Sequence, residues 1–238
     1  MRLITRIKTG VLDLLFPLQC AGCGAEGSPW CPACDEALSF IPPSCVVCKK
    51  LVPTRGATPA GRTCRPCRKK SRVYAFVSPG SYGTPAIKTL IHDLKYRRAR
   101  GNAVILGELL YRAIAYHGVV LSQESIIIPV PLHKARQRVR GFNQSLLIAE
   151  ALGAKLGIPA QDDILRKIRR TKPQMELARE ERLKNMAGAF AVSDSASVRN
   201  RTIILLDDIK TTGTTLEEAA RVLRDAGAKR VWAITVAH

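Results

Sequence analysis

The sequence predicts an α/β fold, a parallel sheet with helices on both faces, preceded by a small cysteine-bound module. Three observations predict it. Short apolar runs of strand length alternate with amphipathic segments at helical spacing from residue 73 onward. All eight cysteines fall between positions 20 and 67, as four CxxC pairs. One apolar run, residues 203–206, leads straight into two adjacent aspartates and a threonine- and glycine-rich turn that opens a further amphipathic segment. At 238 residues the chain has room for one α/β domain of ordinary size plus an appendage, and the boundary is expected between 1–70 and 71–238.

The first element is the run MRLITRIKTGVLDLLFPLQC. Its basic residues and leucines suggest a leader, but Asp13 interrupts it and no small-residue cleavage site precedes the cysteines. A short amphipathic helix docking through Leu12, Leu15 and Phe16 is the expectation. No run of eighteen apolar residues occurs, so no transmembrane segment is expected.

The cysteine module comes next: Cys20/Cys23, Cys31/Cys34, Cys45/Cys48 and Cys64/Cys67. Two thiolates separated by two residues in a turn point at one centre, and two such knuckles complete a tetrahedral four-sulfur site suited to zinc. Eight cysteines therefore predict two structural zinc ions. Sequential pairing places Cys20, Cys23, Cys31 and Cys34 on one ion and Cys45, Cys48, Cys64 and Cys67 on the other, while spacing alone leaves a cross-braced arrangement open. Few apolar residues lie between the knuckles, so metal must supply the folding energy, of order 10–16 kcal/mol per site. With four thiolates each, the sites have no open position for catalysis. The basic string Arg62, Arg65, Arg68, Lys69, Lys70 and Arg72 gives the module a charged edge.

In the α/β part, VYAFVS (73–78) reads as a strand and 84–96 as a helix, with Ile87, Leu90, Ile91 and Leu94 on one face. A second helix is expected at about 102–117. SIIIPVP (125–131) reads as a buried strand whose exit loop is LHKARQRVRGFNQ, and another amphipathic helix runs from Asn143 until Gly157 and Pro159 stop it. The strand at 203–206 delivers Asp207 and Asp208 to its carboxyl end, where ligands of open α/β sheets bind. Thr211, Thr212, Gly213, Thr214 and Thr215 then form a phosphate cradle: backbone N–H groups at a helix start attract anions, and Gly213 permits close approach. No GxxxxGK[ST] string occurs, which excludes a Walker A loop.

The net charge is +19. Residues 95–100, 134–140 and 166–172 hold thirteen Lys or Arg and no acid. Each stretch follows an apolar segment, so the three are expected to meet at the rim where the aspartates sit, and a polyanion is the implied partner. Of four histidines, only His133 falls in an expected site loop; His92 and His117 lie in helices, and His238 is terminal.

IILLDDIKTTGTT (203–215) resembles the 5-phosphoribosyl-1-pyrophosphate (PRPP) signature of type I phosphoribosyltransferases. There two acidic residues hold the ribose hydroxyls and the following loop holds the 5′-phosphate. Taken with the four CxxC pairs, LKY (94–96), PVPLHKARQRVRGFNQ (129–144) and TKPQMELAREERLKNMAGAF (171–190), it resembles the ComF family of competence-associated phosphoribosyltransferase-like proteins. The resemblance spans nearly the whole chain. It implies a type I phosphoribosyltransferase fold with an N-terminal double zinc ribbon, and binding of PRPP with Mg²⁺.

The same resemblance implies roles for single residues. Asp207 and Asp208 would hold the ribose hydroxyls, directly or through magnesium's waters. His133, Lys134, Arg136 and Arg140 would surround pyrophosphate, and a flap over 166–185 would offer Gln174, Arg182 and Asn185. If the chain catalyses, pyrophosphate is displaced from PRPP by a nitrogen nucleophile. Thr211 stands where purine-salvage members carry an aspartate, which disfavours a purine acceptor, and Arg2 stands where amidophosphoribosyltransferases carry a cysteine nucleophile. The alternative is a non-catalytic component that binds single-stranded DNA and the competence helicase and keeps the PRPP site for sensing or structure. Either way the implied setting is DNA uptake, in the cytoplasm or at the inner face of the cytoplasmic membrane.

Overall fold

A computed structural model describes residues 18–56, 58–171 and 185–238. Four parallel strands form the central sheet in the order β1 (Ala75–Val77), β6 (Arg230–Ala237), β5 (Thr202–Ile209), β2 (Ile126–Pro129). Side chains alternate between faces along a strand, and this decides what each face packs against. On β5, Ile204 and Leu206 face a cluster with helices α2 (Pro85–Tyr96), α3 (Asn102–Tyr116) and α5 (Gln144–Leu156), while Ile203 and Leu205 face α6 (Thr214–Asp225). Both faces of β2 and β5 are therefore covered, which is why their sequences read as unbroken apolar runs.

The helices form where their sequences allow. Pro85 opens α2 at its first turn, where no backbone donor is lost, and Ile87, Leu90, Ile91 and Leu94 are buried on one face. Fully burying such a side chain contributes about 1.5–3 kcal/mol. α3 packs on α5 so closely that a Cβ at Gly107 would sit 2.7 Å from that of Ala151. Asn143 caps α5, its side chain accepting from the Ser145 N–H at 3.1 Å, and Gly157 ends it at φ 68°.

Two expectations change. The sequence places a loop after β2; residues 134–140 instead form a short helix, α4 (Lys134–Arg140), which Gly141 ends at φ 82°. The strand carrying the aspartates runs on through Asp207 and Asp208 to Ile209, because β6 pairs beside it as far as Ala237.

Outside the main sheet, β3 (Leu165–Lys167) and β4 (Phe190–Val192) form an antiparallel ribbon. Residues 172–184, and with them Gln174 and Arg182, lie outside the described residues, as does the N-terminal segment 1–17. The cysteine module holds one short helix, α1 (Pro32–Glu36), and a 3₁₀ turn (Arg65–Cys67). It is stitched to the sheet edge: Phe76 N–H donates to the Gly61 carbonyl and Thr63 N–H to that of Tyr74, both at 2.9 Å. On its other side Asp35 accepts from Trp30 Nε1 at 2.8 Å and pairs with Arg112 of α3.

Candidate functional site

The site begins at the carboxyl end of β5. Asp208 is buried, and its Oδ1 accepts the Ile209 N–H at 2.9 Å. The Lys95 ammonium, from α2, pairs with its Oδ2. Asp207 Oδ1 accepts from the Asp208 N–H at 2.9 Å and from Ser145 Oγ, at the start of α5, at 3.1 Å. Burial, and then the charge of Asp208, push the Asp207 carboxyl up to about 8, with Lys95 and these hydrogen bonds opposing. Two adjacent carboxylates that cannot both ionise comfortably form an oxygen donor set short of positive charge, which fits a hard divalent cation.

Beyond the aspartates the chain turns tightly into α6. Gly213 sits at the N-cap position with φ 83°, a conformation that costs other residues strain. Thr214 is buried and its Oγ1 lies 3.1 Å from that of Thr212; Thr211 is exposed and Thr215 half-buried. The opening turn of a helix carries the positive end of its dipole, which favours negative charge there. Lys210 points neither at that turn nor at solvent. It is 5% exposed, its aliphatic chain runs under Gly213, and its ammonium lies 5.2 Å from the ring centroid of Phe76. Burial and the charge of Lys49 lower its pKa, with Cys45 opposing, so this lysine belongs to the junction with the cysteine module. His238 joins the same junction, its ring 5.2 Å from that of Phe76, and burial, then Lys210 and Lys49, lower its pKa to about 4. A terminal histidine carries no such signal in the sequence.

The three acid-free basic stretches do meet at the aspartates. Lys95 comes from the first. Arg140, from the second, is half-buried, donates to Gln144 Oε1 at 2.6 Å and lies 5.5 Å from the Tyr96 ring centroid. Burial lowers its pKa while the charge of Asp208 raises it. Lys167 comes from the third, on β3; burial and the charge of Arg136 lower its pKa, and Asp207 opposes. An open cavity of about 670 Å³ lies beside them, lined by residues that include His133, Arg136, Val139, Lys167, Arg170 and Thr171.

His133 accepts the Ala135 N–H on Nδ1 at 3.3 Å, so one ring nitrogen caps α4. Lys134 is exposed on the first turn of that helix. Asn185 is engaged through its backbone carbonyl, which accepts from Arg169 Nη2 at 2.9 Å. Lys95, Ser145 and Lys167 have no role assigned by the sequence. Lys95 stands in LKY and Lys167 in a basic stretch, whereas a serine after GFNQ offers no signal without the fold.

The cysteines form two groups in sequential order, Cys20, Cys23, Cys31, Cys34 and Cys45, Cys48, Cys64, Cys67, with the sulfurs of each group within 4.8 Å of one another. A tetrahedral zinc with bonds of about 2.3 Å has sulfur–sulfur edges of about 3.8 Å. Cys23 to Cys31 and Cys48 to Cys64 are each 3.6 Å apart, so the geometry fits. Burial raises the Cys20 thiol, yet N–H groups of Cys23, Cys31 and Gly22 bring it down to about 6; the hydrogen bond that the protonated Cys34 thiol donates to Cys23, with burial, pushes Cys34 up to about 12. Four crowded thiols cannot all ionise alone, and a dication removes that conflict. Gly22 is required here, because a Cβ would lie 2.5 Å from Cys34 Sγ. Each group could hold one metal ion.

Residues 143–238 match the family described as "Phosphoribosyl transferase domain". Competence protein F of Haemophilus influenzae is 30% identical over 222 residues, covering 90% of this chain and 89% of that protein. DNA utilization protein YhgH of Escherichia coli (strain K12) is 30% identical over 208 residues, 86% and 88% of the two chains. Competence protein ComFC of Bacillus subtilis is 37% identical over 102 residues, 43% of this chain and 39% of that one. The fold is that of the type I phosphoribosyltransferases, with two four-cysteine groups ahead of it. Similarity over nine-tenths of its length to a competence protein, with the aspartate–threonine turn and both four-cysteine groups in place, shows that the chain belongs to the ComF family.

Proposed function

We propose that the chain binds PRPP with Mg²⁺ at the Asp207–Asp208 turn and acts in DNA uptake during competence. One observation carries the reading: an acid pair at a parallel strand's carboxyl end, followed by an anion-ready helix start and ringed by Lys95, Arg140 and Lys167. In this reading Asp207 and Asp208 hold the ribose hydroxyls. The turn Thr211–Thr215 holds the 5′-phosphate, and Arg136, Arg140 and Lys167 hold pyrophosphate, arginine through its planar fork. Magnesium, held beside Asp207 and Asp208, would neutralise charge on the pyrophosphate leaving group.

The transfer chemistry that follows is simple in its balance. The bond from ribose C1 to a pyrophosphate oxygen breaks, its electron pair leaving with pyrophosphate. A nitrogen nucleophile bonds to C1, and its proton passes to solvent. The cationic ring stabilises the charge on the leaving group, which is the main catalytic contribution the residues offer. Thr211, in place of an acid, gives no carboxylate for protonating a purine.

The names of the relatives, competence and DNA utilization proteins, support the biological setting. Single-stranded DNA and the competence helicase are the partners this reading proposes, DNA being held through its phosphates by basic residues. The two four-cysteine groups would each hold a structural zinc. The test is the double variant Asp207→Asn/Asp208→Asn. PRPP binding by calorimetry should vanish while the variant still unfolds in one cooperative transition; retained affinity in the folded variant would sink the assignment of the acid pair.

A further inference from the structure

The second concentration of positive charge lies at the opposite end of the sheet. A cleft of about 210 Å³ opens where the cysteine module meets the starts of β1 and β6. Its walls carry Arg62, Arg68, Arg72, Arg224, Lys229 and Arg230, and among the described residues no acidic one lines it. Arg230 is the first residue of the eight-residue β6, whereas the aspartates sit toward the far end of its neighbour β5. Arg230 pairs with Thr202, so the aspartates lie five and six residues further along the strand, roughly 16–20 Å away, and the cleft and the acid pair are separate sites.

The cleft is organised. Tyr74 forms its centre, with the guanidinium of Arg62 3.7 Å and that of Arg230 4.7 Å from the ring centroid. Arg62 also donates to the Tyr74 hydroxyl. Arg68 Nε is tied to the Thr63 carbonyl at 3.2 Å, and Arg224 to the carbonyls of Ala228 and Lys229. Among the described residues none of the six cations makes an ion pair. The nearby carboxylate, Glu217, accepts from Ser71 Oγ at 2.7 Å and from the Arg72 N–H and so holds the cleft wall. Holding six like charges together costs repulsion. It shows at Arg62, whose pKa burial lowers most, with Tyr74 opposing and the charges of Arg68 and Arg230 lowering it further. Stacked, backbone-tethered guanidinium groups present donors already in place for tetrahedral oxyanions.

We propose that this cleft is a second phosphate site, which binds successive phosphate groups of a nucleic-acid strand or of a free oligophosphate. Two or three phosphates in series match the number and spread of the cations better than one. The inference does not depend on PRPP binding at the other end of the sheet.

The probes are a labelled twelve-residue oligothymidylate and inorganic tripolyphosphate, titrated into zinc-loaded full-length protein. Arg72→Gln/Lys229→Gln alters two exposed side chains; Arg68→Gln/Arg230→Gln is the second variant, and metal content and unfolding midpoint check the fold of both. Losing two phosphate contacts should cost at least about tenfold in affinity and lower the salt slope of strand binding by about 1.4. Loss for the strand alone assigns the site to nucleic acid, and loss for tripolyphosphate alone assigns it to a free oligophosphate. Unchanged affinity for both probes in either folded variant overturns the proposal. Asp207→Asn/Asp208→Asn should leave both probes bound, so a failure of the PRPP reading remains distinguishable.

Discussion

At the scale of single residues, the informative pair is Asp207 and Asp208. Asp207 has its carboxyl raised from 3.8 to about 8 by burial and its neighbour's charge. Between about pH 4 and 8 the native protein therefore keeps a proton that the unfolded chain has lost, so stability falls as pH rises through that window and levels off above it. Asp207→Asn removes the slope. Its unfolding midpoint should exceed that of the wild type near pH 8.5 and match it near pH 4; equal midpoints at both would show that Asp207 ionises without penalty. Gly22 gives a second test at this scale. Gly22→Ala pushes a methyl into Cys34 Sγ, and metal content should drop from two ions per chain toward one. The aspartates, the glycine–threonine turn and the cysteine groups are legible in the sequence because their chemistry depends on neighbours close along the chain. Lys95 against Asp208 is not, since 113 positions separate partners that only the packing of α2 on the sheet joins.

At the scale of elements, parity along β5 explains much of the site. Ile204 and Leu206 set the face that Asp208 continues toward α2, and Ile203 and Leu205 set the other. The alternation of strands and helices is readable from periodicity, as are the helices at Pro85–Tyr96, Asn102–Tyr116 and Gln144–Leu156. The helix Lys134–Arg140 is not, because KARQRVR buries no residue and so has no apolar stripe to reveal it. What holds it is His133 at one end and Gly141 at the other. The turn into Thr214–Asp225 depends on Gly213 at φ 83°. Gly213→Ala should cost about 1–2 kcal/mol through the left-handed backbone and, by shifting the turn, weaken PRPP binding more than it lowers the unfolding midpoint. Equal affinity in the variant would remove the turn from the phosphate site.

At the scale of the whole molecule, the cysteine module and the α/β sheet act as one structure. The module pairs with the edge strand at Gly61 and Thr63, bonds α3 through Asp35 and Arg112, and brings the charge of Cys45 to bear on Lys210, whose chain runs under Gly213. Stripping metal with a strong chelator should therefore lower the unfolding midpoint and also weaken PRPP binding, although no cysteine reaches the aspartates; unchanged affinity in metal-free protein would confine the module to its own stability. The most direct test of the account is calorimetric titration of zinc-loaded protein with PRPP, with and without Mg²⁺. Saturable, magnesium-dependent binding at one site per chain is expected, strengthening up to about pH 8 as Asp207 gives up its proton. Folded, metal-loaded protein that takes up no PRPP in the presence of Mg²⁺ would contradict it.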